Sequence, residues 1–167
     1  SGTSASSSTF WRGDGTWVAP SSTFGSSYFE ANQTSDQAFT NATYAVIEID
    51  NEIVDVGSNY DTTNFRYIAP ATGTYFFYAR GFFDSGTNSE MKSSLFAFKK
   101  NATTIVAEAS INMASNPGRN MGPALTSIIS LDSSDYIEFW GNPNDEVGSP
   151  TFKANSVFGA AGSGNEF

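Results

Sequence analysis

The sequence predicts an all-β fold, built as an antiparallel β-sandwich or barrel. Short stretches rich in apolar and aromatic residues alternate with turns of Gly, Pro, Asn and Asp, a spacing typical of all-β domains. No segment combines helix caps with an apolar period of 3.6 residues. Aromatic residues make up 15% of the chain. This fraction supplies enough aromatic side chains to fill a core between two sheets and to form an interface between subunits as well.

The predicted strands follow one another between Tyr28 and Phe158. Each is rich in β-branched and aromatic residues, and each stops at turn residues such as Pro70 and Gly73. A hairpin-like turn, Asp132-Ser133-Ser134-Asp135, joins two of them. The strands are predicted at residues 28–31, 65–68, 73–83, 93–99, 104–111, 125–131, 136–140 and 151–158.

The first 27 residues have a different composition from the rest. Ser1 to Ser8 are almost all small and polar, which predicts a flexible linker. Phe10 to Pro20 places a Gly-Asp-Gly turn between apolar and aromatic residues, and Ser21 to Ser27 is again rich in Ser, Thr and Gly. Its Arg12-Gly13-Asp14 matches an integrin-binding tripeptide, but a tight turn explains the same residues. We therefore divide the chain into a linker with a joint (1–27, joint 10–20) and a head (28–167).

The composition excludes several classes of function. The chain has 8 basic and 17 acidic residues and a formal net charge of -9, which argues against nucleic acid and anionic membrane surfaces as partners. It has no Cys and no His, so thiol nucleophiles, Ser-His-Asp triads and most zinc or iron sites are excluded. No apolar run reaches the roughly 20 residues that span a bilayer. We predict a protein that is not an enzyme and does not insert into membranes.

Four segments in order resemble the globular heads of the complement C1q family. Phe65 to Pro70 followed by Gly73-Thr74-Tyr75-Phe76-Phe77 is similar to the family's strand and "Pro-x-x-Gly-x-Tyr-Tyr-Phe" core. Three further segments match later strands and turns, and Tyr28 to Ala31 matches the opening strand; the later segments are 94–101, 130–141 and 151–158. The chain departs from the family at Ser134, where a Gly is usual, and at Ala154 and Asn155, where Gly and Phe are usual.

The resemblance implies the fold of that family, which it shares with tumour necrosis factor (TNF). This is an antiparallel jelly-roll β-sandwich that forms a homotrimer and binds ligands through exposed loops. For the seam between the three chains we predict contributions from aromatic residues, namely Tyr75, Phe77 and Tyr136.

Phe10 to Pro20 resembles a different protein class. Its pattern, "Phe-x-Arg-Gly-Asp-Gly-Thr-Trp-x-x-Pro", is similar to a joint that recurs in bacteriophage tail-fibre proteins just before a C-terminal head. The resemblance implies a virion protein, exposed outside the cell, that joins other fibre or tail proteins through its N-terminal part.

Three polar loops are predicted to lie together at the end of the head remote from residues 1–27. This follows if successive strands run antiparallel and the last strand ends near the N-terminal part. The loops span Asp84–Lys92, Met113–Gly122 and Gly141–Pro150, and binding sites often lie on such loops. We predict that polar side chains there contact the receptor: Asn88, Asn116, Arg119, Asn120, Asn142, Asn144 and Asp145.

The sequence requires no cofactor, and calcium is the one ligand whose binding it leaves open. Hard cations prefer clustered oxygen ligands, and some heads of the C1q family bind calcium. The candidate ligands are turn acids, for which solvated side chains are the simpler interpretation: Asp84, Glu90, Asp132 and Asp135.

The predicted function is attachment of a virion to its host, as a trimeric fibre tip that binds a surface glycan or protein. One alternative is a trimerisation cap or decoration protein that binds no receptor. Another is a glycan depolymerase, for which a pair of acids such as Asp145 and Glu146 would be needed.

Overall fold

The computed structural model describes Ser6 and residues 9–18, 27–146 and 148–163. These residues form β-strands and no helix, so the described part of the chain has no helix that could cross a membrane. The strands, in chain order, are β1 (Phe10–Trp11), β2 (Trp17–Val18), β3 (Ser27–Asn32), β4 (Gln37–Ala38), β5 (Ala45–Val46), β6 (Asn51–Val56), β7 (Tyr60–Asp61), β8 (Arg66–Ile68), β9 (Gly73–Arg80), β10 (Phe83–Asp84), β11 (Met91–Lys100), β12 (Thr104–Asn112), β13 (Asn120–Met121), β14 (Leu125–Leu131), β15 (Tyr136–Asp145), β16 (Thr151–Phe152) and β17 (Val157–Ser163).

Two antiparallel sheets form the body of the head. The five-stranded sheet has the order β14-β9-β17-β3-β6. The six-stranded sheet has the order β12-β11-β15-β8-β7, with β5 also paired to β15. Four short strands, in the order β13-β10-β16-β4, form a small sheet between the loops at one end. This arrangement confirms the predicted antiparallel sandwich.

The core between the two large sheets consists mainly of aromatic rings. Phe77 of β9 lies 5.8 Å from Phe98 of β11, measured between ring centroids, and Phe29 of β3 stacks on Tyr67 of β8 at 5.0 Å. Phe158 of β17 contacts rings from both sheets. Such edge-on and stacked pairs add to the free energy gained by burying apolar area. The aromatic richness of the sequence is therefore used mostly inside one chain.

Two buried hydroxyls are satisfied inside this core. The Tyr67 hydroxyl and the Ser27 Oγ are 2.5 Å apart, and the Tyr60 hydroxyl donates to the carbonyl of Ile49 at 2.9 Å. Burial raises the pKa of Tyr67 to about 12, because the phenolate would lose its hydration there. Both tyrosines therefore act as neutral, hydrogen-bonded core residues.

The joint region forms a separate two-stranded hairpin. Arg12 donates its N–H to the carbonyl of Thr16 at 2.8 Å, and Asp14 accepts hydrogen bonds from the N–H and the hydroxyl of Thr16. The rings of Trp11 and Trp17 meet edge to face at 5.4 Å. The Arg-Gly-Asp sequence thus forms the predicted tight turn.

Candidate functional site

The three predicted tip loops come together at one end of the sandwich, although the first half of the third, residues 141–145, belongs to β15 and is paired with β11. Backbone hydrogen bonds join them: Ser85 donates to Arg119 at 3.1 Å, and Met91 and Gly118 exchange bonds of 2.8 and 3.0 Å. Glu146 donates to the carbonyl of Glu90 at 2.9 Å, which ties the third loop to the first. The three loops therefore form one continuous surface.

This surface lies at the end of the head opposite to Ser27. Along β17, Gly162 pairs with Ser27, whereas Val157 pairs with both Asn32 and Arg80. The chain passes from Arg80 directly into the first loop, so the loops lie at the Val157 end. The loops are therefore remote from Ser27, the residue of the 1–27 segment at which β3 begins, as the sequence predicted.

Two ion pairs hold the loop surface. Arg119 contacts Asp84 at 3.1 Å, and Lys92 contacts Glu146 at 3.2 Å. The hydrogen bond from Arg119 lowers the pKa of the Asp84 carboxyl, so this aspartate stays charged at neutral pH. Arg119 is half exposed and remains accessible to a ligand.

An apolar row crosses the outer face of the five-stranded sheet. It runs through directly paired residues of β14, β9, β17, β3 and β6, namely Ile128, Phe76, Ala161, Tyr28 and Val56. The exposed fractions are 65% for Ile128, 41% for Phe76 and 40% for Tyr28. Contiguous exposed apolar surface of this kind is typical of sites that contact another protein.

Solved structures that resemble the chain have this same architecture at low sequence identity. The globular domain of the zebrafish complement 1qA protein is 10% identical, with a TM-score of 0.56, and the match covers 80% of this chain and 94% of that one. The Eiger TNF from S. frugiperda is 12% identical, with a TM-score of 0.60, and covers 86% of this chain and 96% of that one. The chain has the C1q/TNF-like jelly-roll fold. No model of a protein family and no curated protein sequence matches it.

The jelly-roll head exposes five of the seven residues predicted to contact a receptor, which are Asn88, Asn116, Arg119, Asn120 and Asn144. Asn142 is half-buried on the outer face of the six-stranded sheet, beside Tyr44. The prediction that Asp145 contacts a receptor is wrong, because only 2% of this residue is exposed. Its backbone exchanges hydrogen bonds of 2.6 Å with the side chain of Asn41, so it is held inside the loop cluster and cannot be a surface contact.

Two of the three predicted seam residues need correction. Tyr75 and Phe77 are fully buried in the core of the jelly-roll head, so their side chains cannot contact another subunit. Tyr136 is half-buried on the six-stranded sheet, where the Arg66 guanidinium is 4.6 Å from its ring centroid, and its place in a seam stays a prediction. Side chains alternate across a strand, so the neighbouring aromatic residues of β9, the exposed Phe76 and the half-buried Tyr78, lie on the outer face of the sheet.

The acids weighed as calcium ligands lie at two opposite ends. Asp84 and Glu90 belong to the loop surface, whereas Asp132 and Asp135 lie in the turn between β14 and β15. Lys100 contacts Asp135 at 2.5 Å and, with a hydrogen bond from Asn101, lowers its pKa to about 2. Within the described ranges, no three acidic side chains are grouped so that they could hold a metal ion. Calcium binding stays a prediction.

Proposed function

We propose that the chain is a non-enzymatic binding head that assembles as a homotrimer and attaches a virion fibre to the host surface. The observation that carries the proposal is the apolar row across the five-stranded sheet. A second copy of the chain is the occupant that we infer for this face, because heads of the C1q family, which the sequence resembles, are trimeric. Assembly would remove Ile128, Phe76 and Tyr28 from water, and the burial of their apolar surface would stabilise the trimer.

The loop surface is the inferred receptor site. It lies at the end opposite to Ser27, whereas the fibre would continue from residues 1–27, which resemble a phage fibre joint. Three copies of a polar loop surface on one head would bind a repetitive glycan or protein with avidity from weak single sites.

The assembly is tested by the mass of the full chain in solution, measured by light scattering. We expect three times the 17.9 kDa of one chain. Ile128→Asp should reduce the mass to that of one chain, because three carboxylates would be buried at the interface. Ile105→Asp is the matched control on the edge of the other sheet, 41% exposed, and should keep the trimer. A wild-type monomer at tens of micromolar would overturn the proposal; loss of the trimer on chelation would instead add calcium to it.

Attachment is tested by binding of the labelled trimer to an array of bacterial surface glycans and cell-envelope proteins. We expect binding that the double variant Asn116→Ala, Asn144→Ala weakens and that Thr103→Ala, at the opposite end of the head, leaves unchanged. A trimer that binds nothing on the array would favour the alternative, a structural cap. Shortening of a bound polysaccharide on incubation would contradict the non-enzymatic assignment.

A further inference from the structure

A cavity of about 570 Å³ opens at the tip end of β9, outside the three predicted loops. Two chain segments line it, residues 80–82 after β9 and residues 154–156 before β17. A hydrogen bond of 3.1 Å from the N–H of Lys153 to the carbonyl of Phe82 joins the two segments. Gly81 packs so closely against Phe152 and Ser156 that an added Cβ would lie 2.4 Å from each. This packing and the hydrogen bond hold the two lining segments together.

Arg80 is the exceptional cation of this chain. Seven of the eight basic side chains have an acidic or aromatic partner, as the contacts of Arg12, Arg66, Lys92, Lys99, Lys100, Arg119 and Lys153 show. Arg80 is exposed, and among the described residues it forms no ion pair and no cation-π contact. Its charge acts on the nearby Tyr78 hydroxyl, where it partly offsets the rise in pKa that burial and Glu30 cause. Glu30, on the same face of the sheet, accepts a hydrogen bond from Tyr78 instead. In a chain with a net charge of -9, an exposed guanidinium that forms no ion pair beside a cavity indicates a site for an anion.

The other walls of the cavity suit a sugar ring that carries the anionic group. Phe82 leaves 39% of its surface exposed, so its ring can pack against the apolar face of a sugar. Asn155 is exposed in the left-handed region, with φ of 65°, and its N–H donates to the carbonyl of Gln33 at 2.9 Å. That bond fixes the backbone, and the side-chain amide can then form hydrogen bonds with sugar hydroxyl groups.

We infer that this cavity binds an anionic sugar unit of the host-surface glycan, with Arg80 on its carboxylate or phosphate, Phe82 on its ring and Asn155 on its hydroxyls. The guanidinium can bind either anion with two parallel hydrogen bonds. The rest of the acidic surface repels anions, so affinity depends on Arg80. The inference rests on the proposed function for the source of the glycan.

The test is a titration of the ¹⁵N-labelled full chain with three probes, followed by NMR chemical shifts. The probes are glucuronic acid, glucose 6-phosphate and neutral glucose. We expect at least about tenfold tighter binding of one charged sugar than of glucose, and the tighter of the two shows whether carboxylate or phosphate is the preferred group. Equal affinity for all three probes would overturn the inference.

Arg80→Gln should remove this preference, and Arg12→Gln should preserve it. The two variants change the net charge equally, but Arg12 lies in the hairpin. If both variants weaken binding alike, the effect is one of net charge and the inference is wrong. Phe82→Ser, on the same segment as Arg80, should weaken binding of both charged sugars. It takes the place of Arg80→Gln in the test if Arg80→Gln no longer has the mass of the wild type. If the wild-type chain is a monomer but still prefers a charged sugar through Arg80, the trimer is refuted and the anion site stands. If the chain is a trimer without that preference, the anion site is refuted and the trimer stands.

Discussion

At the scale of single residues, the turn between β14 and β15 holds Ser134 in the left-handed region, with φ of 74°. Its N–H donates to the carbonyl of Ala69 at 2.8 Å, and the neighbouring Asp135 accepts a hydrogen bond from the N–H of Asp132 at 2.8 Å. These bonds fix a conformation that costs a non-glycine residue about 1 kcal/mol or more. The sequence departs here from the C1q pattern, which has Gly, and the backbone keeps the shape that Gly would favour.

Ser134→Gly should therefore stabilise the chain by about 0.5–1 kcal/mol, because relief of the strain exceeds the added entropy of the unfolded chain. Ser133→Gly is the matched control, since Ser133 is not among the residues with positive φ, and it should destabilise the chain by a similar amount. The measurement is the urea midpoint at an unchanged m-value. A lower midpoint for Ser134→Gly would contradict the strain argument.

Also at this scale, the sequence could not assign the two faces of β9. Tyr75, Phe76, Phe77 and Tyr78 are aromatic without interruption, so an alternating pattern that would mark the inner face is missing. A strand that is apolar on both faces indicates that both are covered. The signal for the exposed row was therefore present, but the pattern could not show that Tyr75 and Phe77, and not their neighbours, face the core.

At the scale of elements, the long strands were predictable and the short ones were not. The strand predicted at residues 125–131 is observed with the same bounds, and that at 104–111 extends by one residue, to Asn112. The prediction missed β6 and the two-residue strands such as β4 and β13, which pair only through long-range contacts. Two residues carry no readable period. The loop cluster was predictable from strand direction alone, whereas the cavity at Arg80 required the path of the chain after β9.

The junction between the second tip loop and the segment after β9 depends on a close approach of backbones. A Cβ on Gly122 would lie 1.8 Å from the carbonyl oxygen of Gly81, whereas one on Gly118 would have no atom nearer than 3.5 Å. We expect Gly122→Ala to destabilise the chain by about 1–3 kcal/mol, since the backbones must separate. Gly118→Ala should change the stability by less than about 0.5 kcal/mol. Urea unfolding of both variants measures the difference. Similar midpoints would contradict the prediction, because the backbones could then separate without loss of stability.

At the scale of the whole molecule, the proposed assembly through the apolar row would link folding to protein concentration. If three chains unfold together, each tenfold increase in concentration stabilises each chain by about 0.9 kcal/mol, which for a chain of this size raises Tm by about 2–4 °C. We expect this dependence for the wild type and for Ile105→Asp, and none for Ile128→Asp. The measurement is calorimetry of the full chain over a hundredfold range of concentration. A wild-type Tm independent of concentration, together with a mass of three chains, would mean that the trimer dissociates before it unfolds. In that case the apolar row joins three heads that are each stable alone, because the aromatic core already closes within a single chain.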